Sequence, residues 1–186
     1  MGFFDNLFGK KENREEIDPL NLSVAKMKKG YIFDYDLSSW EVKEVYNYDW
    51  GNHFFTREYK VFNGRETRFL HVEEDDELEL QLCEKVKPTS VDPELSDYIS
   101  KHGQPPKKIV FKGIEYHLEG ESPGYFNEED TPDQWVEHIS WTYYDETETH
   151  TLNIEQWGER EFEASVGKVL RVFEISNIIP AKQAAT

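Results

Sequence analysis

Glu58 and Glu73 are the residues best placed to do chemistry. They lie in two strand-like stretches, 54–62 and 68–73, which the Asn63-Gly64 turn signal folds into a hairpin. Both fall near its far end, where paired carboxylates can do acid–base work. No nucleophile or oxyanion donor accompanies them, so catalysis is the third-ranked reading. His71 and Glu73 share one strand face and could donate to a metal. A metal site needs three or four converging groups, and the other histidines are scattered, so no metal and no cofactor is expected. Cys83 is the single cysteine and sits in a strand-like run, which suits a buried, inert thiol in a reducing compartment.

The aromatic residues offer different chemistry. Trp40, Tyr46, Tyr48 and Trp50, with Trp135, Trp141, Tyr143 and Trp157, could line a ligand cavity. Small β-barrels also fill with such rings, so core packing is the competing reading. Trp50-Gly51-Asn52-His53 reads as a turn that would present Trp50 as an exposed, partner-binding ring. The run Glu73-Glu74-Asp75-Asp76-Glu77 lacks the spacing of a calcium loop and reads as a solvated turn. Asn127 to Asp130 reads likewise, as a loop and helix cap.

Charge excludes one class of partner. The chain has 38 acidic and 21 basic residues and a formal net charge of -17. Phosphate backbones select clustered Lys and Arg, so nucleic acid is not an expected partner. No apolar run approaches the roughly 20 residues of a spanning helix, and no signal peptide is evident, so a soluble cytoplasmic protein is expected.

These residues sit on a strand-rich chain. Aromatics make up 15% of its 186 residues, enough to build cores with few side chains. Strands are expected at 31–35, 40–46, 54–62, 68–72 and 78–82. Others are expected at 108–118, 135–144, 149–156, 160–166 and 168–176. Asp18-Pro19 opens a short helix striped by Leu20, Val24 and Met27 and stopped by Gly30. Asp92-Pro93 opens a second, striped by Leu95, Tyr98 and Ile99 and stopped by Gly103.

The chain also repeats itself. Setting Leu70 on Leu152 aligns Tyr59 with Trp141, Val61 with Tyr143, Asn63 with Asp145, Val72 with Ile154 and Glu73 with Glu155. Glu58 then falls opposite Ser140. With one residue of slippage, Gly30 meets Gly113 and Phe33 meets Tyr116. The fold expected is mainly β: two duplicated antiparallel meander lobes, barrel- or sandwich-like, each preceded by a short helix. The lobes would be 18–87 and 107–180, with a helical linker at 88–106 and a tail at 181–186. They could form two small barrels or two halves of one.

Residues 1–17 stand outside the repeat. Phe3, Phe4, Leu7 and Phe8 fall within about 140° on a helical wheel. This amphipathic element reads as a helix docked on its own protein or on a second copy in a homo-oligomer, or as a foot for a protein partner or a membrane surface.

The first lobe resembles the family known as domain of unknown function 4178. The resemblance rests on Lys29-Gly30-Tyr31-Ile32-Phe33, Trp40-x-Val42, Glu58-Tyr59 and Leu70-x-Val72-Glu73, and covers roughly 20–170. Where the family shows Trp-Leu, this chain has Phe69-Leu70, and Gln156-Trp157-Gly158 stands for a later Gly-His-Trp element. The resemblance implies a bacterial protein without assigned activity, encoded beside proteins similar to phage shock protein A and beside small membrane proteins. That context suggests an accessory role in envelope stress, at the inner face of the membrane. The leading reading is therefore a non-enzymatic interaction module. A small-molecule-binding barrel with an aromatic-lined cavity ranks second.

Overall fold

The computed structural model describes residues 23–181. The sequence-predicted foot, with Phe3, Phe4, Leu7 and Phe8, lies outside them, as does the start of the first helix. Among the described residues the chain enters through a 3-10 turn, Val24–Lys26, capped by the Ser23 side chain. The turn stops at Met27, which is extended, so the helix expected to run on to Gly30 does not form. Val24 and Met27 instead drop into the first core.

The strands are β1 (Ile32–Tyr35), β2 (Ser38–Asp49), β3 (Phe55–Phe62), β4 (Thr67–Glu74), β5 (Leu78–Val86), β6 (Lys108–Phe111), β7 (Ile114–Glu128), β8 (Trp135–Asp145), β9 (His150–Gly158), β10 (Glu161–Leu170) and β11 (Ser176–Ile179). Between β5 and β6 lie α1 (Pro88–Val91) and α2 (Leu95–His102). The second helix buries Leu95 and Ile99, and Gly103 ends it with a left-handed φ of 75°. Among the described residues no helix is long and apolar enough to cross a membrane.

All eleven strands form one antiparallel sheet, in the order β11-β1-β2-β3-β4-β5-β10-β9-β8-β7-β6. Each half is a meander, and the halves join edge to edge through β5 and β10. The sheet then meets itself. Residues 46–49 of β2 pair with 125–128 of β7, so β2-β3-β4-β5-β10-β9-β8-β7 closes partly into a ring.

The closure comes from a strand longer than its sequence suggests. A strand expected over 108–118 is two strands, turned at Lys112-Gly113 with both φ angles positive. The second of them, β7, continues through 120–128. Asn127 and Glu128 therefore end a strand and cap no helix; the Asn127 amide donates to the carbonyls of Thr131 and Gln134. Gly124 permits this close pairing, because a Cβ there would lie 2.6 Å from the Trp50 ring and 2.9 Å from the Asp49 carbonyl. The stretches 160–166 and 168–176 are not two strands. β10 runs straight through Gly167, where a Cβ would meet the Leu82 carbonyl at 2.4 Å.

The slipped part of the sequence alignment does not survive either. Gly30 precedes β1, whereas Gly113 sits in the turn between β6 and β7. By order in the meander, the Lys112-Gly113 turn matches Asp36-Leu37, also at positive φ.

Alternation along the strands sends apolar side chains to the face away from the ring's centre, where they form two cores. One gathers Phe33, Trp40, Val42, Tyr59, Val61, Leu70, Val72 and Leu80. The other gathers Leu95, Ile99, Tyr116, Trp141, Tyr143, Leu152 and Ile154 under α1, α2 and β6. Bulges at Lys43 in β2 and Glu119 in β7 switch the alternation, so Tyr46 and Tyr48 turn toward the ring's centre.

Candidate functional site

The inward faces of the ring surround a cavity of about 560 Å³. Each wall residue is fixed by strand parity. Glu58 alternates with the core residue Tyr59, His71 with Leu70 and Val72, and Glu155 with Ile154. The register sets Glu58 beside His71 and Thr56 beside Glu73. From β5 come Gln81, Cys83 and Lys85, from β9 Asn153 and Glu155, and from β10 Glu163 and Ser165.

The electrostatics follow from this enclosure. Burial pushes the Glu58 carboxyl well above its usual 4.5, opposed by Lys85 and by a 3.3 Å hydrogen bond from the Tyr48 hydroxyl. Glu155 is raised by burial and then by the charge of Glu58. The two share one desolvated space, so ionisation of one opposes ionisation of the other and the pair holds a proton to higher pH than ordinary glutamates do. Lys85 donates to Glu163 at 2.5 Å; burial pulls its pKa down, but Glu163 together with the charges of Glu155 and Glu58 raises it above its usual value. Burial pushes His71 down to about 4, leaving it neutral. The Cys83 thiol is pushed up to about 12 by burial, with Thr151 at 3.8 Å and Asn153 at 3.9 Å. Such a thiol is no nucleophile.

Aromatic rings stop one end of the cavity. Tyr48 and Trp50 stack at 5.5 Å, and His138 stacks on Trp157 at 4.6 Å. Phe126 meets Tyr48 and Trp157 edge-on. Burial pushes His138 down to about 4. The backbone of Gly124 opposes that shift without making a good hydrogen bond, so both ring nitrogens, like the Trp157 N–H, lack partners.

The sequence candidates are sorted by this geometry. Glu58, Glu73 and His71 all reach the cavity. Glu58 couples to Glu155 across the ring, while Glu73 responds to burial and then to Glu79 and Asp75 near its own hairpin. Among the described residues no three His, Cys, Asp or Glu groups converge on a metal position. Trp50 is not the exposed ring expected of a turn: it folds back on Tyr48 and donates to the Thr56 hydroxyl at 2.9 Å. Trp40 and Trp141 do not line this cavity, because their parity points them into the two cores. Trp157 belongs to the aromatic stop. The wall is thus more polar than an aromatic-lined barrel.

Glu155, Lys85 and Glu163 were not singled out from sequence. The signal for Glu155 was present, since the repeat set it opposite Glu73 and Asn153-Glu155 alternates with Leu152-Ile154. What was missing is the β5–β10 junction that carries it across to Glu58.

Comparison with known proteins adds family and no activity. A family model described as Domain of unknown function (DUF4178) matches residues 28–172. A protein of Aquifex aeolicus (strain VF5), described as an uncharacterized protein, is 30% identical over 185 residues, covering 97% of this chain and 99% of its own length. No solved structure matches.

Proposed function

This chain belongs to the DUF4178 family, and on that premise we propose that it is a non-enzymatic binding protein that holds a small polar ligand inside its ring. One observation carries the reading. The ring turns its polar faces inward around about 560 Å³, within the size range of small-molecule sites, and its apolar faces outward into two cores. Folding alone favours the opposite arrangement, because each buried carboxyl must be desolvated. A ligand that engages the wall groups accounts for that expense.

The accessory role implied by the family resemblance fits beside this one. Occupancy of the ring would be the signal, and residues 1–17 would carry the chain to a protein partner or to the inner face of the membrane. The two meanders would then be products of a duplication whose inward faces diverged, Glu58 against Ser140.

Thermal unfolding of the full chain against a library of polar metabolites tests the binding role. At least one compound is expected to raise Tm, and Thr142→Phe, which fills the cavity from β8, is expected to abolish the shift. Ligand at about 100 times its Kd stabilises by about 2.7 kcal/mol, well within detection. If no compound shifts Tm, and the protein purified from its host releases no small molecule on denaturation, the reading fails.

A further inference from the structure

The charge around the cavity does not balance. Glu58, Glu73, Glu119, Glu155 and Glu163 border it, against Lys85; the Glu121 carboxylate is on the other face, accepting from the Trp141 indole. Lys85 is committed to Glu163. His71 brings no positive charge. Glu58 receives one long hydrogen bond, from Tyr48, and among the described residues nothing donates to the Glu155 carboxylate. Both groups line the cavity, and each is partly buried by the strands around it. Two carboxyls thus face one cavity with a single nearby cation, Lys85, whose ammonium is already hydrogen-bonded to Glu163.

We infer that the cavity takes a small organic cation, with its ammonium group set between Glu58 and Glu155. The inference rests on the cavity being a ligand site. An anion would meet the surplus carboxylates, and a neutral molecule would leave the pair as it is. A bare metal ion lacks a third ligand near enough, so the positive charge must arrive on a body that spans the space. Trp50, Phe69 and Tyr144 line the same cavity and supply apolar surface for such a body, and Lys85 already rests 4.9 Å over the Phe69 ring.

Binding of this kind exchanges protons. Without a cation the pair retains a proton; an ammonium group favours both carboxylates, and the proton leaves to solvent. The groups facing the pair are Tyr48 from β2, His71 from β4, Cys83 and Lys85 from β5, and Glu163 from β10. Tyr48, His71 and Cys83 are neutral near pH 7, and Lys85 and Glu163 offset each other, so the released proton comes from Glu58 or Glu155. Affinity therefore rises with pH through neutrality.

Benzylammonium, benzyl alcohol and benzoate share a body and differ in charge. In calorimetric titrations of the full chain, benzylammonium is expected to bind about tenfold or more tighter than the other two. Its affinity should increase from about pH 6 to about pH 8, with a heat that depends on the buffer's ionisation enthalpy. Glu155→Gln and Glu58→Gln should each weaken it by about tenfold, with Glu119→Gln nearly unchanged. Equal binding of the alcohol or benzoate overturns the inference while leaving the cavity a ligand site. Binding by none of the three also overturns it, and a hit among the polar metabolites then shows that the binding role stands without it.

Discussion

Adjacent residues in this ring meet opposite fates. Tyr59 and Ile154 are fully buried in the outer cores, while their neighbours Glu58 and Glu155 face the cavity. The backbone is shared, so the difference lies in what covers each face. The outer faces are covered by α1, α2, the flanking strands and the Val24–Lys26 3-10 turn, and they gain hydrophobic burial. The inner faces are covered only because the ring closes, and there burial opposes charge. Stability therefore resides outside and chemistry inside. The sharpest test is Trp141→Ala. Trp141 is fully buried, and its indole N–H donates to Glu121 at 2.8 Å. Its loss should cost about 3–5 kcal/mol in denaturant unfolding. Thr142→Ala, the next residue and on the cavity face, should change stability by less than about 1 kcal/mol. Equal losses would dissolve the distinction between the faces.

The two faces also differ in what holds them. The cores are spread over many strands, but ring closure rests on four residue pairs between β2 and β7. Gly124→Ala puts a methyl group against Trp50 and the Asp49 carbonyl. About 1–3 kcal/mol of destabilisation is expected. Faster amide exchange should be confined to 46–49 and 125–128, with the β8–β9 ladder unaffected.

That junction also marks where sequence reasoning stops. Most strands were readable because alternation places a core residue at every second position, as in Leu70-x-Val72 and Leu152-x-Ile154. The far half of β7 was not. Gly120-Glu121-Ser122-Pro123-Gly124 carries no apolar alternation, and Pro and Gly normally argue against a strand interior. Here one face lines a polar cavity, so nothing selects for hydrophobic residues, and Gly124 is required by close approach. Glu58 and Glu73 were readable as lying near one end of a hairpin because a single hairpin carries both. Glu155 reaches Glu58 through pairings between distant segments, which local periodicity does not encode.

The carboxyl pair converts the inside–outside contrast into a pH dependence. A glutamate whose folded pKa lies above its usual 4.5 contributes stability that is present below that value and lost as pH rises through the folded pKa. The buried His71 and His138, held below their usual 6.5, act in the opposite sense up to that pH, so wild-type stability should fall from about pH 7 to about pH 9, by on the order of 2 kcal/mol. The Glu58→Gln, Glu155→Gln double variant should lose most of that slope and be the more stable protein at the alkaline end. A slope unchanged in the variant would mean that the two carboxyls are hydrated after all.

The smallest effect is expected where the sequence concentrates most charge. Glu74 ends β4, Asp75, Asp76 and Glu77 form the turn to β5, and all four are exposed. Asp75 contributes a backbone hydrogen bond to the Glu77 carbonyl at 3.3 Å, which side-chain neutralisation leaves intact. Water screens these charges from one another, so crowding in sequence does not become strain in the fold. Asp75→Asn with Asp76→Asn should move stability by less than about 0.5 kcal/mol between about pH 5 and pH 9. The inner pair removes as many acidic groups when converted to Gln, yet is expected to alter the pH profile several-fold more. If the turn variant proved the more consequential, net charge and not desolvation would govern this protein's response to pH, and the cavity carboxyls would lose their special standing.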